Sequence, residues 1–399
     1  MRSPFLMALI VIFPLAACQN ATPESRKDPA TAVATERAQE APKAGAAPDV
    51  AAAKVSPDAA QAAKVDEAAP ADGAEAAPDE TVKAAEVAPE AAPEVAEVLT
   101  SPDGTVILPC GTAPEGMVCI PGGPFIRGSD NDPHSECKQP SYNKRHATNN
   151  SPASTIWMQT YYIDKTEVTF GAYSACMEAG ECNKAKPLYR DFDRPLQPMT
   201  GMSWTDSDKF CTAQGKHLVT EAQWEKAARG PDGLLYPWGN EPEANCDIAV
   251  IMNEQGQRSC GIEKIGYKPE KGRVLEVCSR AEGVYGLCDM VGNAEEWVAD
   301  WYSHSFADCG ADCEGMDPLG PCGGKEEGCK HRYKVVRGGS WYWPKEHATS
   351  IHRRSHVPSN DPYHHYGFRC AASLDEAQAI AGEPAAVEAP SAPVQVIAP

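Results

Sequence analysis

No aromatic residue occurs between Phe13 and Phe125, whereas all eight tryptophans and every cysteine except Cys18 lie beyond Thr100. Large apolar side chains must offset roughly 1 to 2 kcal/mol of backbone entropy per ordered residue, so only the later part of this chain can build a core. From Gln19 to Thr100 the sequence is dominated by Ala, Pro, Glu and Val. It carries 16 acidic against 7 basic residues there, a net of −9 out of a formal −20. That composition predicts a disordered acidic tether over residues 18–100. Residues 374–399 repeat it and read as a loose, disordered tail. The stretch between them, 101–373, is long enough for one large domain.

At the N-terminus, Met1-Arg2 precedes an apolar run from Phe5 to Ala17 that is too short to cross a bilayer. It ends in Leu15-Ala16-Ala17-Cys18 and resembles a bacterial lipobox, which implies a signal peptide over 1–17 and lipidation of Cys18. Each buried CH₂ of such a lipid adds about 0.8 kcal/mol, so more than one acyl chain gives a stable membrane anchor. Gln19 after the cysteine favours the outer membrane of the cell envelope. The cysteine-rich remainder fits an exported, disulfide-bonded protein rather than a reducing cytosol. An acidic balance without a basic stripe argues against a nucleic-acid partner.

Within residues 101–373, Val118 to Ile126 is interrupted by Pro121-Gly122-Gly123, which predicts two strands joined by a tight turn. Tyr161 to Val168 reads as a strand entering a helix capped by Thr169, with Tyr173, Cys176 and Met177 on one face and Gly180 at its end. A second helix is expected over about Thr205 to Gln214. The third is the best marked: Thr220 and Gln223 have capping-box spacing, Trp224, Ala227 and Ala228 form an apolar stripe, and Gly230 stops it. Beyond Gly230 no long periodic run occurs. The expected class is α+β, with few helices, small sheets and much loop.

The succession EVT, SW, GKHLVTEAQWEKAARG, YPWGN, YGLCDMVGNAEEWVADW, RGGSW and GFRC, spread over Met117 to Ala372, resembles the formylglycine-generating enzyme, or sulfatase-modifying factor, family. The resemblance implies an irregular fold similar to C-type lectins and, in the catalytic members, a cysteine pair five residues apart after the GGS turn. That pair binds copper and oxidises a sulfatase cysteine, chemistry that needs soft thiolates. Counted from Gly338-Gly339-Ser340, the two positions here are Trp343 and Ala348, and no cysteine lies between Cys329 and Cys370. Formylglycine formation is therefore disfavoured.

His347, His352, His356, His364 and His365 fall in the same stretch, but their spacing matches no recognised metal site, and His364-His365 reads as exposed loop. Copper and iron are disfavoured. The resemblance implies instead a structural calcium held by Asp289, Gly292, Ala294 and Glu296, with Asn245 matching part of a second site. Oxygen ligands on a tight turn suit that hard cation. The competing reading makes Asp289 a cap and Glu296 a buried acid paired with an arginine. Cys211 and Cys370 match a family disulfide. Proximity pairs Cys110 with Cys119, Cys176 with Cys182, Cys246 with Cys260 and Cys278 with Cys288. Cys309, Cys313, Cys322 and Cys329 supply two more bridges in open order, a zinc site being the weaker reading, and Cys137 is left over. Two functional classes follow: a binding module for an exported protein, peptide or glycan, anchored to the membrane through Cys18, or a divergent metal-dependent oxidoreductase.

Overall fold

A computed structural model describes residues 99–134, 149–265, 272–359 and 364–382. Cys18, Cys137 and residues 383–399 lie outside the described residues. Among the described residues, ten short strands form three sheets. The first has the order β1-β4-β10-β5, built from Met117–Ile120, Tyr161–Asp164, Cys370–Ser373 and His217–Leu218, all antiparallel. The second pairs β2 (Gly123–Arg127) with β3 (Ser154–Met158). The third has the order β8-β7-β6-β9, from Arg353–His356, Lys334–Arg337, Glu295–Trp301 and Tyr366–Phe368, with β6 and β9 parallel.

The two strands expected around Pro121 to Gly123 are present, but they do not pair with each other. β1 joins β4 while β2 joins β3. Gly123 is left-handed at φ 108°, and a Cβ at Gly122 would lie 2.7 Å from the backbone nitrogen of Thr160, so the glycines let the chain step from one sheet to the next.

Helix α1 (Phe170–Glu178) is capped by Thr169, whose side chain accepts the Ala172 N–H, and α2 (Trp204–Ala213) is capped by Ser203. α3 (Glu221–Arg229) has the expected Thr220–Gln223 capping box and ends at Gly230, φ 65°. Its third residue therefore serves both the helix and its own cap. A short α4 spans Phe306–Cys309. The expected loose tail from Leu374 is corrected by α5 (Leu374–Ala381), where Ser373 and Glu376 form a second capping box and Ala377 is buried. Composition hid this reciprocal cap.

β6 is buried along nearly its whole length, and its alternation divides the interior. Trp297 faces a core with Tyr173, Phe210, Cys211 and Phe368, while Val298 faces another with Trp224, Val335 and Ala371. Charged side chains cross these cores in pairs. Glu221 accepts from Arg353 at 2.6 and 2.7 Å, and Glu225 accepts from Arg337 at 2.8 Å and Arg229 at 2.9 Å. Removing one partner of such a pair strands a buried charge.

Seven disulfides use every cysteine of the described residues. The Cys211–Cys370 bridge and the four proximity pairs are all formed. The open order resolves as Cys309–Cys313 and Cys322–Cys329, so these four do not make a zinc site.

Candidate functional site

β7 ends in Arg337, and the chain then turns through Gly338 and Gly339, both at positive φ. A Cβ at Gly338 would sit 2.8 Å from the Met290 carbonyl oxygen, and one at Gly339 would sit 2.6 Å from that of His347. Only glycine lets this turn pass between those two segments. Beyond it the Trp341 N–H donates to the Asn293 carbonyl at 2.9 Å, tying the turn to the segment Asp289–Ala294.

Trp343 and Ala348, the two positions at which the resemblance expects thiolates, flank a 3₁₀ turn over Lys345–His347. The Trp343 indole stacks on His347 with ring centroids 5.1 Å apart and carries the Arg354 guanidinium 4.5 Å above its ring. Ala348 is buried beside Tyr236, Ala249, Ile251 and Val291. Neither side chain can hold a soft metal or exchange with a thiol.

The histidines of this stretch are not exposed loop residues. His347 Nδ1 and His352 Nε2 approach to 2.9 Å, with both residues fully buried. His365 is 4% exposed and stacks on Tyr342, correcting the reading of His364-His365 as exposed loop. His364 packs among Tyr189, Trp341 and Tyr342, and burial, with Arg258 and Lys264 nearby, pushes it down to about 3. Burial likewise holds His356 down at about 4, so both rings are neutral at pH 7. Among the described residues no three His, Cys, Asp or Glu side chains are placed to hold one metal ion.

Sequence reasoning missed Glu295. It is fully buried, its Oε2 accepts from Arg354 at 3.0 Å, and its Oε1 has no hydrogen-bond partner. Burial raises this carboxyl against the opposing pull of Arg354 and the Trp343 indole. The signal was only its position beside Glu296, two acids in succession entering an apolar strand.

Of the residues expected to hold calcium, Glu296 is bound by Arg369. Its Nε and Nη2 donate to the two oxygens of Glu296 at 2.8 and 2.7 Å, and Trp224 adds an indole N–H at 2.9 Å. Glu296 is thus the buried acid paired with an arginine. Asp289 sits at φ 53°, and its Oδ2 accepts the Cys278 N–H at 2.7 Å, which makes it also a cap. Glu167, not singled out from the sequence, accepts the Ala294 N–H at 3.3 Å through Oε1, while its Oε2 is buried without a partner. Burial and the neighbouring Asp289 and Glu296 carboxylates hold Glu167 well above the usual range, and burial pushes Asp289 up to about 6. Of these three buried carboxylates only Glu296 contacts the Arg369 guanidinium, and one Glu167 oxygen is left without a partner. Asn245 is engaged elsewhere: its Oδ1 accepts from Asp247 at 2.9 Å and its Nδ2 donates to the Glu243 carbonyl at 3.1 Å.

Residues 108–374 match the family described as the sulfatase-modifying factor enzyme 1-like domain. The formylglycine-generating enzyme of Thermomonospora curvata is 35% identical over 191 residues, covering 45% of this chain and 57% of that protein. A serine/threonine-protein kinase, Pkn1, of Chlamydia trachomatis is 29% identical over 271 residues, covering 63% of this chain and 37% of the kinase. The chain thus spans little more than half the length of the first of these relatives and about a third of the second. Among solved structures, PvdO from Pseudomonas aeruginosa is similar, with a TM-score of 0.49 and 22% identity over 65% of this chain and 94% of that one.

Proposed function

The chain belongs to the sulfatase-modifying factor enzyme 1-like family, and from that premise we propose that it is a member without formylglycine-forming chemistry, serving as a calcium-stabilised binding module. One observation carries the reading. Where catalytic relatives are expected to present two thiolates, this chain presents the Trp343 indole and the buried Ala348 methyl, while every described cysteine is committed to a disulfide. The half-buried aromatic and cationic side chains along this wall, Tyr342, Trp343 and Arg354, suit recognition of a protein, peptide or glycan better than redox chemistry.

Calcium is assigned to Asp289 and Glu296 with the carbonyls of Gly292 and Ala294. The unpartnered oxygen of Glu167 supports a cation there, although Glu296 must share its oxygens with Arg369. Bound only by the folded chain, the ion would stabilise a loop-rich domain. Export and anchoring through Cys18 belong to the same proposal, supported by the lipobox resemblance and by disulfides that persist in oxidising compartments.

Incubation of the copper-loaded protein with a sulfatase-derived cysteine peptide and oxygen should leave the thiol intact, and aldehyde formation would overturn the proposal. Elemental analysis of the purified protein should find calcium, whereas stoichiometric copper or iron would favour the oxidoreductase alternative. Labelled palmitate should be incorporated by the parent chain and not by Cys18→Ser.

A further inference from the structure

A cleft of about 270 Å³ shares no lining residue with the candidate site. Its walls come from Leu108, the β3–β4 turn at Gln159 and Thr160, the N-terminus of α3, Asp317 and Leu319 of the β6–β7 excursion, and the β10–α5 junction at Leu374 and Asp375. Its volume equals roughly nine waters at about 30 Å³ each, room for a ligand of similar heavy-atom count.

Most of its polar groups are already spent. Tyr161 donates its hydroxyl to the Gln223 carbonyl at 2.6 Å, and Gln159 uses Oε1 and Nε2 on the backbone of Leu108 and Val106. Thr160 Oγ1 accepts the Gly122 N–H and donates to the Leu108 carbonyl. What remains is apolar surface and negative charge. Leu108 is 50% and Leu319 45% exposed, so both can contribute apolar surface to a ligand.

Asp317 supplies the specific group. It is held at φ 44°, a conformation that costs a non-glycine residue of order 1 kcal/mol or more. Its N–H donates to the Trp157 carbonyl at 2.8 Å, and its Oδ1 accepts the Gln159 N–H at 2.9 Å. Oδ2 takes no hydrogen bond. Lys226 is close enough to favour the Asp317 charge, but it is buried and its ammonium donates to the Gly123 carbonyl at 2.8 Å. Asp375, exposed in the first turn of α5, adds a second negative charge at the rim.

We propose that this cleft is a binding site for an alkylammonium group, the carbon stem lying on Leu108, Leu319 and Leu374 and the ammonium on the Asp317 carboxylate. A charge-assisted bond to Oδ2 would replace solvent at this oxygen. Burial already raises the Asp317 carboxyl, a cost that a cation in the cleft would relieve. Either a free amine or a lysine side chain of a partner polypeptide carries the required chemistry.

Titration of the full chain with hexylammonium, hexanol, hexanoate and an Nα-acetyl-lysine amide peptide, followed by calorimetry, tests this. Hexylammonium should bind at least about tenfold more tightly than hexanol, and hexanoate should not bind. A lysine peptide matching or exceeding hexylammonium identifies a polypeptide source, while binding by the free amine alone identifies a small molecule. Asp317→Asn keeps the acceptor and a residue type that tolerates positive φ, so it should fold normally and weaken hexylammonium about tenfold. Leu319→Ser, at an exposed position, should also weaken it. Equal binding of hexanol and hexylammonium, unchanged binding by Asp317→Asn and Leu319→Ser, or no saturation below about 10 mM amine would overturn the proposal.

Discussion

Replacing Glu296 with alanine separates the two roles that this residue combines. In the folded chain it takes both prongs of the Arg369 guanidinium and the Trp224 indole, and all three side chains are fully buried. Deleting one partner of a buried ion pair costs about 3 to 5 kcal/mol, because the remaining charge stays out of water. Arg369 keeps its bonds to the carbonyls of Asp164 and Cys288, and the Glu167 carboxylate lies close, so the low end of that range applies. In a domain this large each kcal/mol moves the melting temperature by about 2 to 4 °C, giving a loss of roughly 6 to 12 °C. Thermal unfolding followed by fluorescence, in excess chelator and in millimolar calcium, measures both terms. The chelator loss reports the Arg369 fork, and a larger loss in calcium reports the missing ion. A loss seen only in calcium would refute the structural role of the fork, and no loss in either buffer would refute both roles.

Removing the Cys211–Cys370 bridge, which closes 159 residues, should cost roughly 5 kcal/mol by chain entropy, against about 2 kcal/mol for Cys309–Cys313, which closes 4. Equal melting temperatures for the two double alanine variants would contradict this. His217 and Glu376 pair at 2.8 Å and hold α5 against β5. Burial opposes both charges but is outweighed by their mutual hydrogen bond, so His217 is raised and Glu376 lowered to about 2. The His217 term is present below about pH 6.5 and fades as pH rises through its raised value, and the Glu376 term is present above about pH 4.5 and fades toward 2. With both side chains about a third exposed, the pair contributes at most about 1 kcal/mol. The stability difference between the parent and His217→Gln should therefore peak between about pH 4.5 and 6.5, and a difference undiminished at pH 9 would rule this out. Gly338→Ala places a methyl 2.8 Å from the Met290 carbonyl at φ 89°, and soluble yield and melting temperature should both fall sharply. Normal melting would show that the turn can relax.

Local signals in the sequence were read correctly where one segment carried all the chemistry. The Thr220–Gln223 cap, Gly230 and the short-range cysteine pairs each need only a few neighbouring residues. Interactions between distant segments were harder. Glu221 and Arg353 are 132 residues apart, and nothing near either one announces the pair. β1 and β2 have the composition of a hairpin, yet pairing with β4 and β3 buries Ile120 and Phe125 in separate cores. His365 sits next to loop-forming residues, but its ring is covered from outside its own segment, by Tyr342 and Trp343. Trp343 and Ala348 were reached only by counting from the turn Gly338-Gly339-Ser340, a count that rests on the resemblance. The Arg369 fork was foreseen only as one of two alternatives, since a carboxylate on a tight turn serves a guanidinium and an ion equally well.

Strand β10 is among the last elements to be synthesised, yet it lies between β4 and β5, with β1 beyond β4. A nascent chain still missing Cys370 to Ser373 has an open slot in the middle of its first sheet and an unpaired Cys211. Such a domain cannot mature progressively from its leading end. It stays incomplete until the closing segment is delivered and both neighbouring strands gain their partner.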